Sequence, residues 1–412
     1  MSLPEQAIPR GKILSWTLFD FANTAFYVLI LTVGYPLYFK KIVASGSDQG
    51  DALWGISFSA SMLIVALISP VLGAVADYGA GKKRFLGLFT ILCIGATAAL
   101  FFVEQNMIAQ GMILLILANI GFEAGLVFYD AFLPEITTER TYGRVSGYGF
   151  AMGYVGSLVT LIIALPLYAG GFEAQNLGNV RLSFLIAAGM FFLFALPLFI
   201  AVPDRQRSTA LRADFLAIGV RRVVSTFREF GRYRNVGRFL LAYFLYIDAV
   251  NTIIVFSSIF ADETLRLEVE EIIIFFAIVQ TSAMGGSVLF GVLADKLGHK
   301  RSLNMSLSLW LIILVIAYFV EDKTAFFGVG LLAGIALGSS QSSSRSLMSA
   351  LVPKEKKTEF FGFYSFFGKA SAVIGPILFG VVSSNVNQRA ALLAVGALLL
   401  AGMLLLRRVE SR

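Results

Sequence analysis

Runs of some twenty apolar residues, parted by short polar segments and recurring along the whole chain, constrain this sequence more than any other feature. Wound as a helix at about 1.5 Å per residue, such a run crosses the ~30 Å hydrocarbon layer of a bilayer, where each backbone N–H and C=O must be satisfied within the segment. The pattern predicts an all-α membrane protein of twelve transmembrane helices. They lie near 14–39, 53–76, 85–103, 107–133, 146–169 and 181–201, then 237–260, 271–294, 302–320, 324–350, 360–384 and 388–406. With 57% hydrophobic and 14% charged residues, the composition does not suit a soluble globule. The first ten residues are polar and the run behind them is too long for a signal-peptide core, so no cleavable leader is expected.

A net charge of +7 could point to nucleic acid, but its distribution argues otherwise. Lys and Arg gather in the segments that share a side with the N-terminus, including nine arginines from Arg205 to Arg238, whereas the loop 262–271 on the other side is acidic. This sidedness predicts an inner-membrane protein with both termini cytoplasmic, and it excludes nucleic-acid binding. The chain then divides into a six-helix half at 1–202, a cytoplasmic linker at 203–236 and a second six-helix half at 237–412. Within the linker, Leu216, Val220, Val223, Phe227 and Phe230 recur at helical spacing, with Arg221, Arg222, Arg228 and Arg232 on other faces. That segment reads as a helix on the anionic inner leaflet or as a solvated tether. One cysteine, Cys93, and one histidine, His299, supply neither a disulfide framework nor a soft-metal ligand set. No nucleophile–base arrangement or phosphate loop is present, so neither a cofactor nor an enzymatic activity is expected.

Polar groups inside the spans carry the functional signal, because a charge in hydrocarbon is costly and is usually kept for transport or proton transfer. Asp20 and Asn23 share one face of the first span, and the same pair returns as Asp248 and Asn251 in the seventh. Both pairs are expected to face one polar cavity. Glu123 and Asp130 lie in the fourth span, Arg345 in the tenth and Lys369 in the eleventh. Glu123 reads as a cavity group, and Asp130 as a structural partner for Arg140 or Arg144. Arg345 either binds solute or neutralises a nearby acid. Lys369 either binds a substrate carboxylate or pairs with Asp248 or Glu123. Gln341, Asn119 and Gln280 could bond solute or tie helices together, and Tyr148 and Tyr154 read as packing aromatics.

Further matches relate the halves. Gly73 and Asp77 followed, past Lys82, by Lys83 and Arg84 correspond to Gly291 and Asp295 followed by Lys300 and Arg301. Leu133-Pro134 corresponds to Val352-Pro353, and Gly147 with Gly153 to Gly362 with Gly368. A Gly permits close helix approach, while an Asp at a helix end can pair with basic residues or a neighbouring helix N-terminus. These eight gating residues are expected to latch the halves together on the cytoplasmic side. Two six-helix halves in parallel repeat, with a site near the midplane between them, resemble the major facilitator superfamily.

The resemblance sharpens at Trp16, Asp20, Ala22, Asn23 and Phe26 with Tyr35-Pro36-Leu37-Tyr38-Phe39. It continues through Phe128 to Ile136 and Gly143 to Gly147. Ser344-Arg345-Ser346-Leu347, Pro353, Glu359 to Tyr364, Gly368-Lys369 and Gly375-Pro376 complete it. Together these residues resemble the "unknown major facilitator" family, bacterial relatives of the autophagy-related vacuolar amino-acid effluxer. Asp130 stands where many members carry Asn. The resemblance implies a single-polypeptide secondary transporter, with amino-acid export the activity attributed to the vacuolar relatives. The expectation is therefore a monomer that moves a small polar solute, such as an amino acid or other zwitterion, by alternating access with proton coupling, its partners being solute, proton and membrane lipid. Ammonium would meet Asp20, Asp248 or Glu123, and carboxylate would meet Lys369 or Arg345. A lipid or amphiphile exporter, a divalent-cation exporter using Asp20, Asn23, Asp248 and Asn251, and a non-transporting sensor are the competing readings.

Overall fold

The computed structural model describes residues 10–45, 49–204, 215–228, 231–261, 266–267, 269–372 and 374–410. Among them, twelve helices are long and apolar enough to cross a bilayer. They are α1 (Arg10–Val43), α2 (Gln49–Gly79), α3 (Lys82–Phe102), α4 (Ile108–Ile136), α5 (Glu139–Tyr168) and α6 (Ala174–Ala201). Then follow α7 (Arg234–Ser257), α8 (Ile274–Leu297), α9 (His299–Phe319), α10 (Lys323–Leu351), α11 (Lys357–Asn385) and α12 (Gln388–Arg407). An even number of spans puts both ends of the described chain on one face, the terminal face. Large apolar side chains such as Ile91, Ile162, Leu165 and Ile200 point outward, as a lipid-facing perimeter requires.

The helices pack as two groups. In the first, α1 lies against α5 and α6, and α3 and α4 pack on each other with α2 and α6 beside them. In the second, α8 and α9 lie against α10, and α12 lies against α7, α9 and α11. Two crossings join the groups, α2 with α11 and α5 with α8, and α10 also touches α5. The glycines matched in the sequence repeat explain how close these crossings come. A Cβ on Gly73 would strike the carbonyl of Thr358, and one on Gly362 the carbonyl of Ser69. At the second crossing, Gly147 meets the carbonyl of Ser287, and a Cβ on Gly291 would lie 2.6 Å from the carbonyl of Gly143. Backbones in direct contact gain dispersion energy over a long seam, which is the main association force available in lipid.

Several spans are irregular, and in two of them a proline explains it. In α1 a π-helical stretch at Tyr27–Thr32 precedes Pro36, whose ring blocks the regular ladder. In α11 the helix stops at Ser371 and resumes at Ile374. Pro376 accounts for this break: its ring excludes the carbonyl four residues back and offers it no N–H.

The linker contains a helix, Phe215–Arg228, but its inward face corrects the expectation. Ile218, Gly219, Arg222, Val223 and Thr226 turn toward the protein, while Val220 is 51% exposed. A Cβ on Gly219 would press on Val71 and Val75 of α2, so the helix docks on the bundle instead of only lying on a leaflet. The side chains of Leu216 and Phe227, all of Phe230, the arginines Arg205, Arg207 and Arg212, and most of the acidic loop 262–271 lie outside the described residues.

Candidate functional site

A cavity of about 270 Å³ lies at mid-depth between the two groups, with walls from α2, α4 and α5 on one side and α7, α10 and α11 on the other. Glu123, Asp130, Asn251, Gln341, Arg345 and Lys369 all line it. Two ion pairs cross it. Lys369 Nζ lies 3.0 Å from Glu123 Oε2, and Arg345 Nη1 donates to Asp130 Oδ1 at 3.1 Å. Tyr154 donates to Gln341 Oε1 at 2.8 Å, so this tyrosine of α5 holds a cavity amide of α10 and is more than a packing aromatic. Asn119 donates to Ser61 at 2.7 Å, tying α4 to α2.

Arg345 is the most deeply committed of these groups. It belongs to α10, yet its guanidinium is surrounded by the opposite group. Nη1 and Nη2 each reach Asp20 Oδ2 at 3.4 Å, Nε donates to Ser146 Oγ at 3.0 Å and Nη2 to the Ser146 carbonyl at 2.8 Å. The rings of Phe150 and Trp16 lie 4.0 Å and 4.8 Å from its carbon. Such a planar, delocalised cation suits simultaneous stacking and forked donation, which a Lys would not reproduce. Tyr129 adds a 2.7 Å hydrogen bond to Asp20 Oδ2.

The expectation that Asp20–Asn23 and Asp248–Asn251 face one shared cavity is not met. Asn251 alone of the four lines it. Asp20 sits behind Arg345 in a buried cluster, and Asn23 is buried one turn along. Asp248 is buried against the α11 break, beside Gly375. Residues three apart share a face only broadly, and the face of α7 is wide enough to place Asn251 in the cavity and Asp248 against α11. Asp130, expected to pair with Arg140 or Arg144, lines the cavity and pairs with Arg345 instead. A larger groove of about 1060 Å³ runs along α1 and α5 at the terminal face, past Arg10, Arg140 and Arg144. Its lining comes from one helix group and, among the described residues, holds basic side chains but no carboxylate.

Below the cavity, on the terminal face, the groups are latched. Asp77 Oδ2 accepts the Glu359 N–H at 2.8 Å at the start of α11. Asp295 does the same for α5, accepting Gly143 N–H at 2.8 Å, Arg144 N–H at 3.2 Å and Arg144 Nε at 2.6 Å. Each carboxylate meets the positive end of a helix in the other group, where charge and orphan donors coincide. The basic residues expected beside them are placed differently. Lys83 donates its Nζ to the Val202 carbonyl and its backbone N–H to Asp204, and Lys300 Nζ donates to the carbonyls of Arg407 and Val409, each within its own group. Arg84 and Arg301 are exposed.

Contacts not anticipated from sequence complete the latch. Buried Lys82 donates to Glu135 Oε1 at 2.6 Å, and Lys357 of α11 approaches the same oxygen at 3.9 Å. Thr226 of the connecting helix hydrogen-bonds buried Glu359, with Arg222 3.8 Å from its other oxygen. Lys356 donates to Thr226 Oγ1 at 2.7 Å. Lys82 follows Asp77 in the repeated motif and Glu135 follows Leu133-Pro134, so the signal was visible, but not the partner.

Twelve spans in two groups, a charged cavity between them and a helix-end latch on one face define a multi-pass membrane protein with the major facilitator fold. Solved structures share that fold. A bacterial homologue of the iron transporter ferroportin in an outward-facing state aligns over 98% of this chain and 100% of that one, with TM-score 0.73 and 16% identity. The major facilitator transporter FucP in the outward conformation aligns over 98% and 99%, with TM-score 0.75 and 13% identity. The sequence profile described as "Vacuole effluxer Atg22 like" matches residues 47–412, and the chain belongs to that family. The uncharacterized MFS-type transporter YxiO of Bacillus subtilis (strain 168) is 33% identical, over 90% of this chain and 87% of its own. Autophagy-related protein 22 of Kluyveromyces lactis is 23% identical, over 90% and 75%.

Proposed function

We propose that this transporter carries a small zwitterion, an amino acid being the simplest, by alternating access of the mid-depth cavity, with movement coupled to protons across a bacterial inner membrane and the terminal face cytoplasmic. The observation that carries the reading is the pair of ion bridges across the cavity, Glu123–Lys369 and Asp130–Arg345, each joining one helix group to the other. A solute with one ammonium and one carboxylate can replace the two ends of such a bridge, the ammonium taking Glu123 or Asp130 and the carboxylate taking Lys369. The groups are then joined through the solute, and releasing the direct bridge lets them rock. A cavity of about 270 Å³ holds about nine waters, which fits a small polar solute and not an acyl chain. Buried charges separated from their partners must find new ones or a proton, and this ties occupancy to protonation. Sidedness of Lys and Arg supports the orientation, and the two helix groups serve as the moving units.

The test is a thermal-shift screen of the purified protein against amino acids, lysolipids and divalent metal salts. At a hundredfold excess over Kd a ligand stabilises by ~2.7 kcal/mol. Stabilisation by one or more amino acids, lost in Lys369→Gln, is the expected result. Stabilisation by lysolipids alone or by metal salts alone would replace the zwitterion reading with a competing one.

A further inference from the structure

We propose that Asp248, set apart from the cavity against the break in α11, is the residue that binds and releases the coupling proton. The inference deepens the proton-coupled reading and rests on it. Asp20 and Glu123, the other two acids suited to the task, are each engaged by a cation, Arg345 and Lys369. Asp248 is fully buried, and among the described residues neither of its carboxylate oxygens has a hydrogen-bond partner. The hydroxyl of Thr252, one turn along, is likewise buried and unpartnered. Both groups converge on Gly375: a Cβ there would overlap Thr252 Oγ1 and lie 2.9 Å from Asp248 Oδ1. Thus a carboxyl and a hydroxyl without partners among the described residues face the first turn of the second segment of α11, where Pro376 has already interrupted the helix.

The charged and ionisable groups on the elements packed against α7 are turned elsewhere. Lys369 of α11 pairs with Glu123, Arg345 of α10 with Asp20 and Asp130, and Arg389 of α12 with the carbonyls of Tyr318 and Val320. On α7 itself Tyr246 bonds Ser344, and Tyr243 stacks on Tyr364 of α11. An ionised carboxylate in such a setting is far costlier than a neutral carboxylic acid. A metal cation could supply the missing charge, but it needs several oxygens. This site offers three from two side chains, and the Gly375 N–H is directed at the carboxylate without reaching ordinary hydrogen-bond geometry. A proton is what fits.

The step is a simple transfer. While α11 is parted from α7, an O–H bond of hydronium breaks as an O–H bond forms on Asp248, leaving water; on the other side the Asp248 O–H breaks and its proton passes to a water, which becomes hydronium. Closing α11 onto α7 requires the neutral form, so the hinge and the proton become linked.

Infrared difference spectra of the purified full-length protein between acidic and alkaline buffers test this without any substrate. A failed zwitterion screen therefore leaves the result interpretable. A protonated-carboxyl C=O band that titrates, is missing in Asp248→Asn, shifts in Thr252→Val and persists in Asp20→Asn and Glu123→Gln is expected. A carboxyl serving only as packing would stay protonated throughout and give no titrating band. A band unaltered in Asp248→Asn, or no titrating band in the parent protein, overturns the assignment. So does a band bleached by NaCl but not by choline chloride at constant pH, which would make the site one for a metal cation. If Asp248→Asn does not fold, Asp248→Glu must move the band, and an unmoved band counts against the proposal.

Discussion

Arg345 shows how much one residue can decide in a chain of this kind. Its guanidinium leaves its own helix group and is buried among Asp20, Asp130, Ser146, Trp16 and Phe150 of the other. Attraction across a buried site only offsets the desolvation of both ions, so the pair adds little net stability, yet removing one member strands the other. Arg345→Gln leaves buried Asp20 and the cavity carboxylate Asp130 without their cation and is expected to destabilise the protein by about 3–5 kcal/mol. Adding Asp20→Asn removes one stranded charge, so the double variant should be more stable than Arg345→Gln alone. Thermal melts in detergent read both, and strictly additive losses would mean that the two residues do not interact. The sequence singled out both as charges within spans, because their cost in hydrocarbon is independent of fold. Their pairing was not legible, since the partners stand 325 positions apart and only tertiary packing decides which acid a buried cation meets. The same blindness assigned Asp130 to Arg140 or Arg144 and left Asp248 in a cavity it does not line.

At the scale of elements, the repeat was the readable part. Gly73 returns as Gly291 and Gly147 as Gly362 because each half needs a backbone smooth enough to cross a helix of the other, and any side chain there would part the crossing. Helix ends were equally readable where Asp77 and Asp295 stood to accept from a neighbouring helix start. The connecting helix was readable as a helix, but its docking was not. Its apolar stripe suggested a lipid surface, whereas the contacts that hold it come from Gly219, Arg222 and Thr226, which hydropathy does not single out. Glu359 is the meeting point, bonded to Thr226 through its side chain and to Asp77 through its N–H. A hydrogen bond to a buried charged acceptor contributes ~1.5–3 kcal/mol, so Glu359→Ala should raise amide exchange across Phe215–Arg228 on the order of tenfold or more. Unchanged exchange would show that packing on Val71 and Val75 holds the helix by itself.

For the whole molecule, the arrangement of contacts defines which way the cavity is shut. The Asp77 and Asp295 latches, Lys82–Glu135–Lys357 and the connecting helix all lie on the terminal face, below Glu123 and Lys369. If that face is cytoplasmic, as the distribution of Lys and Arg argues, the cavity in this state is shut toward the cytoplasm, and access from outside is the expectation to test. Asp77 and Asp295 each accept charge-assisted bonds from a helix start in the other group, and those bonds exist only while the face is closed. Removing both therefore takes stability from one state and not from its alternative, and at ~1.4 kcal/mol per decade the population shifts by tenfold or more. Cys93 is the sole cysteine and is buried, so a single reporter can read this shift in a Cys93→Ser background. Asn251→Cys in the cavity wall should react with a membrane-impermeant maleimide applied to intact cells. Adding Asp77→Asn and Asp295→Asn should lower that labelling on the order of tenfold and raise it in inverted vesicles. Labelling of the parent reporter from the cytoplasmic side alone would reverse the orientation. Equal labelling with and without the two substitutions would remove the helix-end latches from control of access, leaving the glycine crossings to hold the terminal face closed.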